Sequence, residues 1–435
     1  MSIVNSSLII KAKYILPMDK ELSVIKDGLL VVAENKILAV GTEADLKKKY
    51  RAKEIIDVGN SVVMPGFINT HTHIAMSYFR GLADDLPLSD WLNKHIWPAE
   101  AKFVNADFVR RSSELACLEM IRAGIACFND MYFFEEVTAA VVKKAGLRAM
   151  LGEGILKFPS PSAKTPDEAI KKTAALADEY KNEEFITIAF APHSVYACAE
   201  EHLVRIKELA EKLDLMIHIH VSETKKEADD CRAKYGSSPV AYLDKLGFLS
   251  PAVIAAHSIW LDENDLGIYR KRGVRVSHNP ISNMKLASGI APIPLMLKQG
   301  IRVGLGTDGA ASNNTLDMFS EMRTCALLHK INNMDPTVLS AREVVKMATI
   351  DAAAVLGLDN KTGSLEAGKR ADLITINLDK PHLNPLYDPY SHLVYSANSS
   401  DVDNVIINGK IIMRDRVVKT MDEERIFSDA NKFKI

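Results

Sequence analysis

The sequence has no excess of charge of either sign and no long apolar run. Its 435 residues include 54 Lys and Arg against 56 Asp and Glu, a formal net charge of −2. Without a basic excess there is no electrostatic footprint for a phosphate backbone, so we expect no nucleic-acid partner. No apolar stretch approaches the roughly 20 residues of a membrane-spanning helix, and Met1–Asn5 lack the basic start of a signal peptide. We therefore expect a cytoplasmic protein that is not in a membrane.

Cysteine pairs and phosphate-binding glycine loops are also missing. The five cysteines are scattered and odd in number and form no C-x-x-C pair, which indicates reduced thiols in a cytoplasmic protein. No G-x-G-x-x-G follows a strand candidate and no G-x-x-x-x-G-K-[ST] occurs, which disfavours a doubly wound nucleotide-binding sheet. The 47% of hydrophobic and 25% of charged residues are typical of a globular protein with a sizeable core.

The pattern along the chain changes twice. Both ends contain short β-branched strands and turns, whereas the long middle alternates apolar strand candidates with helical stretches. The eight candidates are Val63–Asn69, Ile125–Asn129, Arg148–Gly152, Ile186–Ala191, Met216–His220, Val253–Ala256, Arg275–Ser277 and Arg302–Gly306. This alternation predicts an α/β fold, a (β/α)₈ TIM-type barrel with a small β-sandwich built from both chain ends. The predicted domains are residues 1–62 (first part of the sandwich), 63–366 (metal-dependent catalytic barrel) and 367–435 (second part).

Polar side chains follow several of these strands. His71 and His73 come after the first strand, two residues apart, so their side chains share a face. His220 ends the fifth strand and Asp308 follows the eighth, at the end where barrel enzymes collect catalytic groups. These four residues are the expected ligands of a divalent ion, Zn²⁺ or Fe²⁺, that activates water. The fourth strand, Ile186–Ala191, has no Lys to bridge a second metal, which predicts a single ion.

Two further side chains are placed to act on a bound substrate. Glu223, three residues beyond His220, can move protons between the water and a substrate nitrogen. His257 ends the sixth strand and can hydrogen-bond the attacking oxygen or a developing oxyanion. Asp308 is expected to accept the proton of the water in addition to binding the ion. Of the pair His218 and His220, we expect only His220 to face the barrel interior.

Together these segments resemble the amidohydrolase superfamily, over nearly the whole chain. They are Pro65–His73, His220–Glu223, Ala256–His257, Ser277–Pro280 and Gly306–Gly309, with Gly363–Leu373 similar to the family's return from barrel to β-sandwich. Within the superfamily the chain resembles the deaminase and chlorohydrolase branch, above all the 5′-methylthioadenosine/S-adenosylhomocysteine deaminases. The resemblance implies hydrolytic deamination of a small-molecule adenine nucleoside to the inosine analogue and ammonia. It also implies a homo-oligomer, either a dimer or a tetramer.

The resemblance further implies which residues contact the substrate. Glu100, in a long segment after strand one that should form a lid, would bind the ribose hydroxyls, and His193 would lie near the sugar or the ring. Many members hold a homocysteine carboxylate with an arginine near strand three. Here Glu153 occupies that region and would repel a carboxylate, while Arg148, at the start of the strand, is the arginine available.

Several substrates and activities remain open at this point. Methylthioadenosine, adenosine and 5′-deoxyadenosine are the better candidates, with S-adenosylhomocysteine in doubt because of Glu153. The alternative activity is deamination of guanine or cytosine, or dechlorination of a triazine, by the same metal set. A non-catalytic scaffold is disfavoured, because such proteins tend to lose metal ligands and all four candidates are present here.

Overall fold

The computed structural model describes residues 4–434. Met1–Ile3 and Ile435 lie outside the described residues, and the first of these belong to the segment in which we expect no signal peptide. The chain opens with β1 (Val4–Ile15), β2 (Ile25–Ala33), β3 (Lys36–Thr42), α1 (Glu43–Leu46), β4 (Tyr50–Asp57) and β5 (Ser61–Pro65). Eight strands follow: β6 (Phe67–Thr72), β7 (Ile125–Tyr132), β8 (Arg148–Ile155), β9 (Ile186–Pro192), β10 (Met216–Val221), β11 (Val253–His257), β12 (Arg275–His278) and β13 (Val303–Leu305). The last four are β14 (Leu373–Asn377), β15 (Val402–Ile407), β16 (Lys410–Arg414) and β17 (Val417–Val418).

The strands of the two chain ends form one mixed sheet of nine strands. Their order is β17-β16-β15-β14-β5-β1-β2-β3, with β4 beside β1. β5 joins the two ends, because it runs parallel to β1 and antiparallel to β14, where Val63 faces Thr375. The sheet encloses an apolar core that includes Ile10, Val32 and Leu373. The predicted β structure from both ends is confirmed, and the domain limits stay a prediction.

The middle of the chain forms the predicted barrel. Strands β6 to β13 lie side by side in chain order, and neighbouring strands are parallel. The ring closes between β13 and β6, where the Thr70 hydroxyl donates to the Leu305 carbonyl at 2.9 Å and the Asp308 N–H donates to the His71 carbonyl at 2.9 Å. Because all eight strands run the same way, their carboxyl ends share one rim.

Helices surround the barrel and cover that rim. The segment after β6 holds a 3₁₀ turn (Ile74–Phe79), α2 (Leu88–Asp90), a π-helical turn (Trp91–Ile96) and α3 (Trp97–Phe103). Around the barrel are α4 (Ala106–Arg122), α5 (Glu135–Ala145), α6 (Pro166–Tyr180), α7 (Glu200–Leu213), α8 (Lys225–Tyr235), α9 (Pro239–Lys245), α10 (Glu263–Arg272), α11 (Pro280–Lys285), α12 (Ile293–Lys298), α13 (Ala310–Asn313), α14 (Met318–Asn333), α15 (Ala341–Met347) and α16 (Ile350–Val355). Near the end are α17 (Pro389–Tyr395) and α18 (Glu423–Lys432). Within residues 4–434, no helix has both the length and the apolar character needed to cross a bilayer.

The chain passes from the small sheet to the barrel at Pro65 and Gly66. The sequence predicted one strand over Val63–Asn69, and this is wrong: β5 belongs to the small sheet and β6 to the barrel. Pro65 has no N–H with which to continue the ladder. A Cβ on Gly66 would lie 2.5 Å from the Cβ of Ala126, so only glycine allows the two strands to approach so closely.

Candidate active site

Side chains from three barrel strands meet at the carboxyl rim. His71 and His73 come from the end of β6, His220 from β10, and Asp308 follows β13. The ring centroids of His71 and His73 are 4.8 Å apart, and those of His71 and His220 are 4.9 Å apart. Oδ1 of Asp308 lies 3.3 Å from Nε2 of both His71 and His73. The barrel therefore brings together the four residues that the sequence singled out as metal ligands.

Hydrogen bonds on the outer nitrogens turn the inner nitrogens toward one point. A carbonyl oxygen can only accept, so His73 donates from Nδ1 to the Met131 carbonyl and His220 donates from Nδ1 to the His193 carbonyl at 2.7 Å. Nε2 of His71 is buried and has no hydrogen-bond partner in the described chain. The ligand nitrogens of His71, His73 and His220 all lie within 4.8 Å of one another. Such a set, with each ring oriented by its second nitrogen, fits Zn²⁺ or Fe²⁺.

The charges of the cluster also fit a cation. Burial lowers the pKa of His71 to about 4 and holds the pKa of His220 well below its ordinary value, so both rings are neutral. Burial also acts on His73, but its bond to Asp308 outweighs this and raises the pKa of His73 to about 9. Burial alone would raise the pKa of Asp308, yet its contacts with the two rings hold it well below the usual range. A bound cation would take the place of the proton between His73 and Asp308.

His218 supports the cluster from the barrel interior. Its Nε2 lies 2.8 Å from Nδ1 of His71, so the two rings are hydrogen-bonded. The prediction that only one of His218 and His220 faces inward is therefore wrong. Side chains two residues apart on a strand share a face, so an inward His220 requires an inward His218.

Asp308 is held by donors that sequence reasoning missed. The hydroxyls of Ser282 and Ser312 donate to its Oδ2 at 2.6 and 2.8 Å, and the N–H of Gly309 donates to its Oδ1 at 2.8 Å. The two serines lie on α11 and α13, short helices that follow different strands. No spacing in the sequence distinguishes them from other serines, so only the assembled barrel reveals their role.

Glu223 and His257 face the same cavity beside the four candidate ligands. Oε2 of Glu223 lies 3.9 Å from Nε2 of His257. Burial raises the pKa of Glu223, because the charged form of a carboxyl group is disfavoured away from water. Nδ1 of His257 is 2.8 Å from Oδ1 of Asn283, which orients the ring with Nε2 toward Glu223. A buried carboxyl group and an oriented imidazole thus lie side by side at the wall of the cavity.

A cavity that is partly open to solvent lies above these groups. The segment between β6 and α4, which is the expected lid, forms much of its wall. Its contributions are Leu88, Trp91, Leu92, Ile96, Trp97 and Glu100. Within residues 4–434, no lysine or arginine lines the cavity. The walls are therefore mostly apolar, with polar groups concentrated at the barrel rim and at Glu100.

Glu100 and His193 both line this cavity. Burial raises the pKa of Glu100 to about 7, although the nearby Tyr132 hydroxyl and His73 oppose the rise. The ring centroid of His193 lies 4.6 Å from that of His220, and burial lowers the pKa of His193 to about 3, so the ring is neutral. Both residues are within reach of a bound molecule, and their expected contacts with a sugar stay predictions.

Arg148 and Glu153 do not face the cavity. Arg148 begins β8, at the far end of the barrel, where its buried guanidinium lies 3.2 Å from Asp372 and donates to the Glu184 carbonyl. The prediction that Arg148 binds substrate is therefore wrong. Glu153 is buried behind β8, where its Oε2 accepts the N–H of Glu135 at 3.1 Å, and Gly154 lines the cavity instead. Its charge is therefore no argument against a carboxylate-bearing substrate.

Replacing Arg148 with Met should destabilise the protein without changing its activity. The ion pair with Asp372 is almost fully buried, with side-chain exposures of 3% and 1%, and breaking such a pair costs about 3–5 kcal/mol because one charge stays buried alone. We expect a lower midpoint of urea unfolding and an unchanged kcat. The control is Lys181→Met, whose pair with Asp178 is exposed and should be worth less than about 1 kcal/mol. Equal shifts in the two variants would contradict the prediction.

Proteins named as deaminases are among those similar to this chain in sequence and in structure. A curated 5-methylthioadenosine/S-adenosylhomocysteine deaminase of Thermodesulfovibrio yellowstonii is 47% identical over 428 residues, 98% of each chain. A 5′-deoxyadenosine deaminase of Methanosarcina mazei is 47% identical over 427 residues, 98% of this chain and 97% of the relative. The crystal structure of an adenosine deaminase from Xanthomonas campestris with bound zinc superposes with a TM-score of 0.97 at 38% identity, covering 99% of this chain and 98% of that one.

The family profile covers most of the chain as well. The amidohydrolase family matches residues 62–412, which span the whole barrel and most of the second part of the small sheet. Enzymes of this family are metal-dependent hydrolases, in agreement with the ligand cluster at the rim. The resemblance seen in the sequence is confirmed, and this chain belongs to the amidohydrolase family.

Proposed function

We propose that this protein is a hydrolytic deaminase of adenine nucleosides, which converts the 6-amino group to an oxygen and releases ammonia. The observation that carries the proposal is one cavity, partly open to solvent, with two polar ends. At the rim, the buried carboxyl of Glu223 adjoins the His₃Asp cluster, as attack on a ring amidine requires. At the lid, Glu100 is the carboxyl group that can accept hydrogen bonds from a ribose diol. The names of the relatives support the same reaction and do not favour the guanine, cytosine or triazine alternatives.

The proposal includes one divalent ion per chain. Its ligands would be His71, His73, His220 and Asp308, and the zinc in the Xanthomonas campestris structure favours Zn²⁺ over Fe²⁺. When bound, such an ion brings the pKa of a water molecule to near 7, which supplies a nucleophile at neutral pH. β9 carries no lysine, so this strand offers no carbamylated bridge to a second ion.

The side chains around the cluster would divide the proton transfers. Glu223 donates its proton to N1 of the purine, which makes C6 electrophilic, while Asp308 accepts a proton from the attacking water. His257 hydrogen-bonds the oxygen that adds at C6. Asp308 then passes its proton to the amino nitrogen, and the C6–N bond breaks to release ammonia. The oxygen added at C6 becomes the carbonyl of the inosine analogue and returns its proton to Glu223. His193, as a neutral ring at the cavity wall, would contact the sugar or the base.

The cavity wall favours a neutral 5′ group on the nucleoside. Leu88, Leu92 and Leu286 line it together with Trp97, and an apolar wall gains from burying a methylthio or methyl group. No lysine or arginine lines this cavity, so a homocysteine carboxylate would meet a cation only beyond it, in the adjoining groove that Lys157 and Lys225 line. We therefore propose methylthioadenosine and 5′-deoxyadenosine as preferred substrates, followed by adenosine, with S-adenosylhomocysteine the poorest of the four.

Steady-state kinetics on the zinc-loaded protein test this order. The loss of adenine absorbance and the release of ammonia would be followed for the four nucleosides, with guanine and cytosine as controls. We expect turnover of the nucleosides and none of the two bases. Turnover of a free base with all four nucleosides inert would refute the proposed function, whereas a different order among the nucleosides would refute only the argument from the wall.

Glu100→Gln should raise KM for adenosine by about 10- to 100-fold. Hydrogen bonds to a charged group are worth about 1.5–3 kcal/mol, and a neutral amide accepts more weakly from the ribose hydroxyls. 2′,3′-Dideoxyadenosine lacks both hydroxyls and should respond little to the substitution. Asp90→Asn is the matched control, because Asp90 lies on the same lid but is exposed and pairs with Lys94.

The same carboxyl group should make KM depend on pH. Its folded-state pKa is raised to about 7 by burial, so the charged, accepting form dominates above pH 7 and disappears below it. KM for adenosine should therefore rise as pH falls through 7, and Glu100→Gln should abolish this dependence. A pH profile of KM that is identical in the two proteins would contradict the assignment of Glu100.

A cytoplasmic homo-oligomer, either a dimer or a tetramer, completes the proposal. All five cysteines are buried free thiols, which is what a reducing compartment would allow. Light scattering coupled to size exclusion would measure the mass of the assembly, and a monomer would contradict the oligomer.

A further inference from the structure

Glu223 lies in the turn between β10 and α8. The backbone of this turn is hydrogen-bonded to the buried carboxyl group of a second acidic residue, Glu227. Oε1 of Glu227 accepts the N–H of Ser222 at 3.1 Å, and Oε2 accepts the N–H of Glu223 at 2.8 Å. We propose that Glu227 is a positioning residue that holds Glu223 in the orientation needed for proton transfer to the substrate ring. This inference rests on the proposed role of Glu223.

The turn needs such fastening because its backbone is unusual. Ser222 has φ +53°, the left-handed region that non-glycine residues seldom occupy. The N–H groups of Ser222 and Glu223 belong to neither β10 nor α8, so a buried acceptor must satisfy them. Both oxygens of Glu227 do so, and the side chain is itself buried. The conformation that directs Glu223 into the cavity therefore depends on this carboxylate.

The hydrogen bonds of Glu227 are not those of an ordinary helix cap. In a capping box the carboxylate at the third helical position reaches back to the N–H of the N-cap residue. Glu343 in α15 and Asp265 in α10 do this. Glu227 holds the same helical position, after the N-cap Thr224, but it reaches past the cap to the two preceding residues. Its hydrogen bonds thus serve the active-site turn rather than the helix end.

The same turn also supports the loop that follows His257. The Ser222 carbonyl accepts the N–H groups of Ile259 and Trp260 at 3.1 and 3.0 Å, and the Val221 carbonyl accepts the N–H of Ser258 at 3.0 Å. Glu223 and His257 are therefore carried on one hydrogen-bonded unit. Without the carboxyl group of Glu227, we expect the backbone at Glu223 to lose its fixed orientation. The expected metal ligand His220 should stay in place, because β10 and the His193 carbonyl still hold it.

The experiment compares Glu227→Leu and Glu227→Gln with Glu343→Ala, a control that removes a capping box far from the cavity. We expect Glu227→Leu to lower kcat by about 100-fold, since a displacement of about 1 Å costs that much, while KM and metal content stay near those of the parent. Glu227→Gln, which keeps one acceptor oxygen, should recover much of the loss. Glu343→Ala should lower the melting temperature and leave kcat unchanged.

A double-mutant cycle separates positioning from general stability. In the Glu223→Gln background, Glu227→Leu should have no further effect on kcat, because it acts through Glu223. Additive losses in kcat, or a lower melting temperature with an unchanged kcat in Glu227→Leu, would overturn the inference. If Glu227→Leu does not fold, Glu227→Gln replaces it in the cycle: it loses one of the two hydrogen bonds and should lower kcat measurably in the parent and not in Glu223→Gln, and an unchanged kcat in the parent would overturn the inference. Should Glu223→Gln itself retain full activity, the proposed role of Glu223 fails, and this outcome is distinct from a failure of Glu227.

Discussion

Glu223→Gln is expected to lower kcat by about 10²- to 10⁴-fold, the contribution of a positioned general acid. Glutamine keeps the size of the side chain and can still form hydrogen bonds. Its amide group has no acidic proton that it could transfer to the purine nitrogen. Glu223 is not among the expected metal ligands, so the content of bound metal and the affinity for the inosine product should change little. Steady-state kinetics and metal analysis on the same preparation would measure both effects.

The matched control for Glu223→Gln is Asp230→Asn on α8. Asp230 is exposed and pairs with Lys226, so its loss should leave kcat within experimental error. An equal loss of kcat in both variants would mean that any disturbance near α8 lowers activity. A Glu223→Gln enzyme with normal kcat would remove Glu223 from the proposed mechanism and leave the ligand cluster unaffected.

His220→Ala is expected to abolish both metal binding and turnover. The cluster has three imidazoles and one carboxylate, and alanine removes the one imidazole that β10 contributes, which leaves His71, His73 and Asp308 from the ends of β6 and β13. Loss of an outer-shell partner alone typically costs about 10- to 100-fold in metal affinity or activity, so loss of a ligand should cost more. Metal analysis after dialysis and assays with added Zn²⁺ would measure the effect.

Two other histidines provide graded comparisons. His218→Ala removes the hydrogen bond to Nδ1 of His71 and should reduce metal affinity by about 10- to 100-fold without eliminating binding. His202 lies on α7, outside the cavity lining, and His202→Ala should behave as the parent. Full metal occupancy in His220→Ala would refute the ligand assignment, and a defect in His202→Ala would point to general instability.

Part of this architecture was predictable from the sequence because two simple rules governed it. Apolar strands that alternate with helices predict a parallel barrel, and polar residues at the strand ends then share one rim. His71, His73 and Asp308 follow from these rules, although they are distant in the chain. The same period-two rule places His218 on the same face of β10 as His220, so the inward position of His218 also follows from the sequence.

Other features could not be predicted because they depend on how separate elements approach each other. Arg148 is an arginine near strand three, but it stands at the wrong end of β8, where Asp372 from the other part of the chain completes a buried pair. Glu153 and Gly154 are neighbours on β8, where successive side chains point to opposite faces of the sheet. Gly154 therefore faces the cavity and Glu153 does not. The support of Asp308 by Ser282 depends on the exact path of a short helix, which no local pattern specifies.

The pairing of β5 with β14 has a consequence for how the protein is made. β5 leads directly into β6, which bears His71 and His73, yet its partner Thr375 is synthesised long after Val63. Contacts between residues so distant in sequence form late in folding. β6, which carries two expected ligands, therefore follows a strand whose sheet stays incomplete until nearly the whole chain has been synthesised. A premature stop after the barrel would expose the edge of β5 to pairing with other chains. The last strands are therefore needed to complete the sheet at β5, from which the strand with two of the expected ligands begins.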